Sequence, residues 1–173
     1  MKAQTNELAP FQHTYLALVS DADLVSQLKE RLNAIKEVWS KIPIEKHDYA
    51  YAPDKWNIKQ MLGHMIDTER ILAYRALCMA RGEQQSLPGF DEDSYVNNAH
   101  FQNNNFTELL EEFELVRKSN IKMIEKFTEE DLLKKGIANG FENTVRGLVC
   151  VIIGHEMHHN NILNERYLIS YNG

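Results

Sequence analysis

Apolar residues recur at helical spacing in four long stretches of this chain. Leu24, Leu28, Ile35, Trp39 and Ile42 fall at intervals of three, four and seven, a single stripe that ends at Pro43. Ser20 to Asp23 has the S-x-x-D form of a capping box, so the first helix is expected to begin after Ser20. A second helix is expected from near Asn57, with Gln60 three residues on, to Arg81, where Gly82 stops it. Its apolar face is Ile58, Met61, Leu62, Met65, Leu72, Ala73 and Ala76. Leu109, Phe113, Val116, Met123 and Phe127 mark a third helix from about Thr107 to Phe127, interrupted on the same stripe by Asn120. A fourth, capped by Thr144, is expected to continue to about Tyr171. Within it Leu148 to Ile153 has strand-like residues but keeps the helical register.

The connections differ in character. Residues 1–19 mix polar positions with Phe11, Tyr15, Leu16 and Leu18 and are expected to drape over the domain. Residues 43–56 carry Pro43 and Pro53 among aromatic anchors. Thr128 to Asp131 spells another capping box opening a short turn that Gly136 closes, and Gly140 and Asn143 are placed in a loop. The stretch 83–105 lacks sustained periodicity, and a connection of that length is usually a lid, a binding loop or a crossover. At ~3.3 Å per residue it can outreach the second helix, so the third need not run antiparallel to the second. The pattern predicts an all-α fold, a four-helix bundle in one domain over residues 1–173.

Composition narrows the function classes. Apolar residues at 43% and charged residues at 25% are ordinary for a globular protein. A net charge of -6 without a Lys/Arg stripe argues against a nucleic-acid partner. No segment approaches the ~20 apolar residues of a membrane helix, and the first residues lack the basic and apolar regions of a leader, so a cytoplasmic protein is expected. The two cysteines, Cys78 and Cys150, are expected to be reduced, and both are placed on the sides of their helices away from the apolar face.

The informative stretch is Gly154 to Tyr167. With Leu148 as reference, Val151, Ile152, Ile162 and Leu163 fall within about 60° either side on the helical wheel, and so do His155 and His159. Two imidazoles one turn apart thus occupy the middle of an apolar face, where an unpartnered polar group costs roughly 1 to 3 kcal/mol. A shared metal ion meets both costs, and His64, at the edge of the second helix's apolar face, offers a third donor. Three neutral imidazoles with one coordination position left for another group is a catalytic arrangement. The alternative is that each histidine hydrogen-bonds to a neighbouring helix. His155-Glu156-Met157-His158-His159 also spells H-E-x-x-H, in which the glutamate is a general base. Ile162 and Glu165 stand where the extended peptidase form needs Gly and His, which argues against a peptidase.

Several motifs in order resemble those of the DinB-like metalloproteins. They are Lys55 to Asn57, Gly63 to Arg70, Tyr74 to Leu77, Ala80 to Gly82, Leu87 to Asp91, Gly154 to His159 and Glu165 to Leu168. The resemblance implies an up-down-down-up bundle with the long crossover between its second and third helices, frequent homodimers, and a metal site of His64, His155 and His159, with His158 beside it. Relatives in that family include transferases that use low-molecular-weight thiols such as bacillithiol, and proteins described as metal-dependent hydrolases. Three functional expectations follow. The first is a metal-dependent transferase acting with a small thiol, the metal being a divalent transition ion with zinc and nickel the leading members. The second is a hydrolase using a metal-activated water, with Glu156 as the catalytic proton shuttle. The third is a metal-binding, stress-associated protein without turnover.

Quieter expectations concern single residues. Glu69 and Arg166 are read as a buried ion pair or a pair of hydrogen bonds, Asp67 as a solvated residue or one able to orient a ligand imidazole, and Asn120 as either a pocket residue or a register device. Tyr51, Trp56, Phe90 and Tyr95 are candidates for the pocket wall, the alternative being simple packing.

Overall fold

The computed structural model describes residues 1–168, so the helix end expected near Tyr171 lies outside the described residues. In chain order the elements are α1 (His13–Leu18), α2 (Leu24–Trp39), α3 (Ile58–Ala80), α4 (Glu92–Ala99), α5 (Phe106–Ile124), α6 (Glu129–Leu133), β1 (Lys135–Ala138), β2 (Phe141–Thr144) and α7 (Val145–Ile162). A π-helical turn follows at Leu163–Tyr167.

Four of these helices form the bundle, and their side-chain pairings give its direction. Lys36 meets Glu114 at 2.7 Å and Lys29 meets Glu125 at 2.6 Å, so α2 and α5 are antiparallel. Arg70 bonds Glu112 at 2.7 Å while Arg81 stands 5.9 Å from the Phe127 ring centre, so α3 and α5 run the same way. Arg31 pairs with Glu156 and Trp39 with Asn160, which makes α2 and α7 parallel. The order is up-down-down-up, with the crossover at 83–105 as the spacing allowed.

Helix starts follow local chemistry. Asn57 and Gln60 form the reciprocal box at α3, and Thr128 with Asp131 does so at α6. Thr144 accepts from the Gly147 amide at 2.9 Å to open α7. At α2 the cap is Asp23, which accepts from Ser26, and Ser20 instead donates to Gln27. The S-x-x-D reading was therefore three residues early.

Two segments are more ordered than their composition suggests. The crossover contains α4, capped by Asp91 at 2.6 Å from the Ser94 amide. Gly140 and Asn143 belong to a β-hairpin in which Lys135 pairs with Thr144 and Ala138 with Phe141. Its turn is Asn139-Gly140, with φ of 52° and 78°, the pair of positive values a type I′ turn requires. Leu87 bonds this hairpin through Ile137 and Asn139, which ties the crossover down.

The apolar core falls into two clusters that part at one level. One holds Leu24 and Leu28, Leu72 to Ala80, Ile121 to Phe127 and Val145 to Ile153; the other holds Leu32 to Ile42, Ile58 to Ile66, Phe101 to Phe113, and Leu163 with Tyr167. Between them runs a polar layer with one charged residue from each bundle helix. Arg117 donates from Nε and Nη2 to Glu69 at 2.7 and 2.8 Å, and Arg31 donates to Glu156 at 2.9 and 2.8 Å. Glu69 thus pairs with Arg117, not Arg166. The π-turn rotates the chain after Ile162, so that Tyr167 is buried and Arg166 is exposed. Asn120 also serves this layer, donating to Glu69 at 3.2 Å.

The N-terminal segment covers the second face of α7. Glu7 accepts from Thr144 and from both Nε and Nη2 of Arg146, and the Ala3 amide lies 3.4 Å from the Cys150 sulfur. Cys150 is consequently buried in the core, correcting its expected outward position: a helix wrapped on both sides has no outer face there. Cys78 is half-buried. A Cβ at Gly154 would collide with the Tyr15 carbonyl oxygen, so only glycine lets α1 lie this close to α7. Gly63 does the same for the Phe101 ring against α3. Both glycines directly precede a histidine of interest. Among the described residues no helix is long and apolar enough to cross a membrane.

Candidate metal centre

His64 comes from α3 and His155 and His159 from successive turns of α7, all nearly buried, at 6, 7 and 8% exposure. One nitrogen from each ring lies within 4.8 Å of the other two. His64 Nε2 is 3.0 Å from His155 Nε2, and His159 Nε2 is 3.1 Å from the same atom. A neutral imidazole has one donor and one acceptor nitrogen, so three Nε2 atoms turned on one point either share protons between rings, according to tautomer, or turn their lone pairs together on a cation. Tetrahedral nitrogens at zinc distances are about 3.3 Å apart, close to these separations. The donor set therefore fits a divalent transition ion.

The far sides of the rings are weakly held. Thr68 Oγ1 is 3.5 Å from His64 Nδ1, and His159 Nδ1 is buried with no partner among the described residues. Asp67, a candidate for orienting His64, is turned to Arg70 instead, at 3.7 Å. Trp56 packs its ring 4.6 Å from that of His64, and Tyr15 stands edge-on to His155 at 5.4 Å. Aromatic packing, more than hydrogen bonding, fixes these imidazoles.

Burial favours the neutral, metal-competent form of each ring. Desolvation lowers the pKa of His64 from 6.5 to about 4, with His158 adding to the shift, and it holds His155 and His159 well below 6.5, helped by the neighbouring histidines. Because the unfolded chain binds these protons first, metal-free protein keeps full stability above pH 6.5 and loses it as pH falls toward 4. For His64 alone the loss is on the order of 3 kcal/mol, from a shift of about 2.5 units at 1.36 kcal/mol each. Urea midpoints of metal-free protein at pH 7.5 and pH 5 check this. Equal midpoints would contradict it.

The three imidazoles open on a cavity of about 360 Å³. Trp56 and Phe90 line it as expected from sequence, whereas Tyr51 packs on Tyr167 and Tyr95 on Phe90. His158 also borders it, half-buried and edge-on to Tyr15 at 5.4 Å. Sequence reasoning missed Tyr15, Thr68, Arg75 and Asn143 as lining residues. The missed hairpin hid Asn143, although Asn-Gly between two short runs is a standard hairpin signal.

Glu156 is placed differently from its expected role as the catalytic base. It is 2% exposed, and both its oxygens are taken by Arg31. At 100° per residue, the position after His155 points across the bundle toward α2 rather than into the cavity. The H-E-x-x-H spelling here joins a histidine of the centre to a carboxylate of the charged layer.

The DinB superfamily model matches residues 27–163. Among solved structures, YfiT from Bacillus subtilis, described as a probable metal-dependent hydrolase with an unusual four-helix bundle topology, has a TM-score of 0.75 at 13% identity, over 85% of this chain and 89% of that one. YjoA from Bacillus subtilis, a DinB-like protein, has a TM-score of 0.62 at 21% identity, over 87% of this chain and 92% of the other. Curated proteins give no match. The bundle order, the family match over most of the chain and the two structural likenesses agree, and the chain belongs to the DinB superfamily.

Proposed function

We propose that this chain is a metal-dependent transferase acting with a small thiol, with His64, His155 and His159 as the metal ligands. The observation carrying this reading is a three-imidazole cluster that faces a cavity of mixed apolar and polar lining while the neighbouring carboxylate, Glu156, is held away by Arg31. When bound, a divalent ion supplies a Lewis-acidic position that keeps a thiol ionised near neutral pH. His158 on the cavity wall is the imidazole available to take the thiol proton. The sulfur then forms a bond to an electrophilic carbon, and the leaving group departs with its bonding pair and a proton. Tyr15, Trp56 and Phe90 exclude water around the reacting atoms. Zinc and nickel suit the donor set, and a homodimer in the cytoplasm is part of the same reading.

A hydrolase is the second reading, because YfiT, which shares the fold, is described as a probable metal-dependent hydrolase. It needs a base to move protons to and from water; with Glu156 held by Arg31, His158 would fill that role. Tag-free protein loaded with zinc or nickel and offered small thiols with alkylating electrophiles, and separately esters and amides, distinguishes the two. Thiol-dependent conjugation that requires the metal and persists in Glu156→Gln is the expected outcome. Metal-dependent turnover of esters or amides without thiol would establish the hydrolase instead. No turnover with any of these would leave a binding protein.

A further inference from the structure

The cavity extends well beyond the imidazoles. Its α3 wall is His64, Thr68, Leu72 and Arg75, a row along one side of the helix whose ends are about 16 Å apart along the axis. On α7, Leu148 and Val151 continue the wall away from His155. The space thus has the imidazoles at one end, an apolar waist of Leu72, Leu148 and Val151, and Arg75 at the other end. Helical side chains lean toward the N-terminus, so Arg75 leans back over this space.

Arg75 is only 7% exposed, and its charge is not neutralised by contact. Nη2 donates to the Pro88 carbonyl at 2.6 Å, and the guanidinium lies 5.9 Å from the Phe90 ring centre. Among the described residues no carboxylate forms an ion pair with it; Glu92 acts on it only at longer range. The other N–H groups of Arg75 are not sealed in the interior and are open to a molecule in the cavity.

We propose that the molecule bound here carries a carboxylate at the end remote from its reacting group, and that Arg75 receives this carboxylate across the apolar waist. This rests on the reading of the cavity as a substrate site and names the substrate class: a small, elongated carboxylic acid whose other end meets the histidines. Glu92 and Asp93 border the same cavity. Their charge counts against a phosphate dianion more than against a monoanion, and the planar fork of the guanidinium matches a carboxylate.

Isothermal titration of the metal-free full chain with octanoate, octanamide and octyl phosphate tests this without any metal or turnover. Octanoate is expected to bind at least about tenfold tighter than octanamide, the lower range for a hydrogen bond to a charged group, and tighter than octyl phosphate. Arg75→Gln should abolish that preference and Arg75→Lys should keep part of it. In wild type, the Arg75 Nε–H resonance should move on adding octanoate and stay in place with octanamide, a readout independent of how well the variants fold. Equal binding of acid and amide, an acid preference surviving in Arg75→Gln, preferred binding of octyl phosphate, or no binding of octanoate would each overturn the assignment. Failure of the metal reading shows separately, as absence of bound zinc or nickel in the same protein.

Discussion

Arg117→Met is expected to destabilise the fold by about 3–5 kcal/mol, because it leaves the Glu69 carboxylate, 3% exposed, without its counter-ion in the middle of the bundle. Arg117 itself is fully buried. Burial works against its charge, yet Glu69 beside it holds its pKa above the usual value. The pair is therefore a strong mutual requirement without being a large net source of stability. Adding Glu69→Leu to Arg117→Met should restore most of the loss, since apolar groups of similar size often replace a buried pair at little cost. Urea midpoints at unchanged m-value measure both variants. A single-variant loss below about 1 kcal/mol, typical of exposed pairs, would show that water reaches this layer.

His155→Ala carries the largest effect on the centre. His155 Nε2 is the atom that both other imidazoles approach, at 3.0 and 3.1 Å, so removing it takes away the shared vertex of the cluster. Bound zinc or nickel should fall from near one per chain to near none, with affinity down by more than the ~100-fold that loss of an outer partner brings. The same variant should lose less stability on acidification than metal-free wild type. It no longer contains a ring whose pKa burial holds well below 6.5, so one fewer proton distinguishes the unfolded chain. Elemental analysis and paired urea curves at two pH values check the two halves. Full metal retention would mean that the ion is held elsewhere.

The bundle was legible because its apolar stripes obey one period over long stretches. Leu24, Leu28, Ile35, Trp39 and Ile42 are all buried, as are the α3 residues from Ile58 to Ala76 named from the pattern. The histidine cluster was legible for the converse reason: His155 and His159 violate that period at positions where violation is costly. Arg117 violates it too and escaped notice. Val116 and Met123 beside it read as the stripe, whereas after Phe113 the buried face of α5 continues through Arg117, Ile121 and Ile124. An arginine is taken as solvated unless its partner is known, and the partner lies 48 residues earlier on another helix. Glu156 has its partner, Arg31, 125 residues before it, and that pairing likewise leaves no local mark in the sequence. Short elements such as α4 and the hairpin lack enough residues for a period to show. They are fixed by caps, by a two-residue turn and by contacts with distant parts of the chain.

The close packing of α1 on Gly154 makes the N-terminal segment a wall of the cavity as well as a cover for α7. The family match begins at residue 27, so the helices that carry His64, His155 and His159 lie within it, whereas Phe11, Gln12 and Tyr15 reach the cavity from the segment before it. A change at Phe11 or Gln12 can therefore reshape the space a bound molecule meets while leaving the three histidines in place.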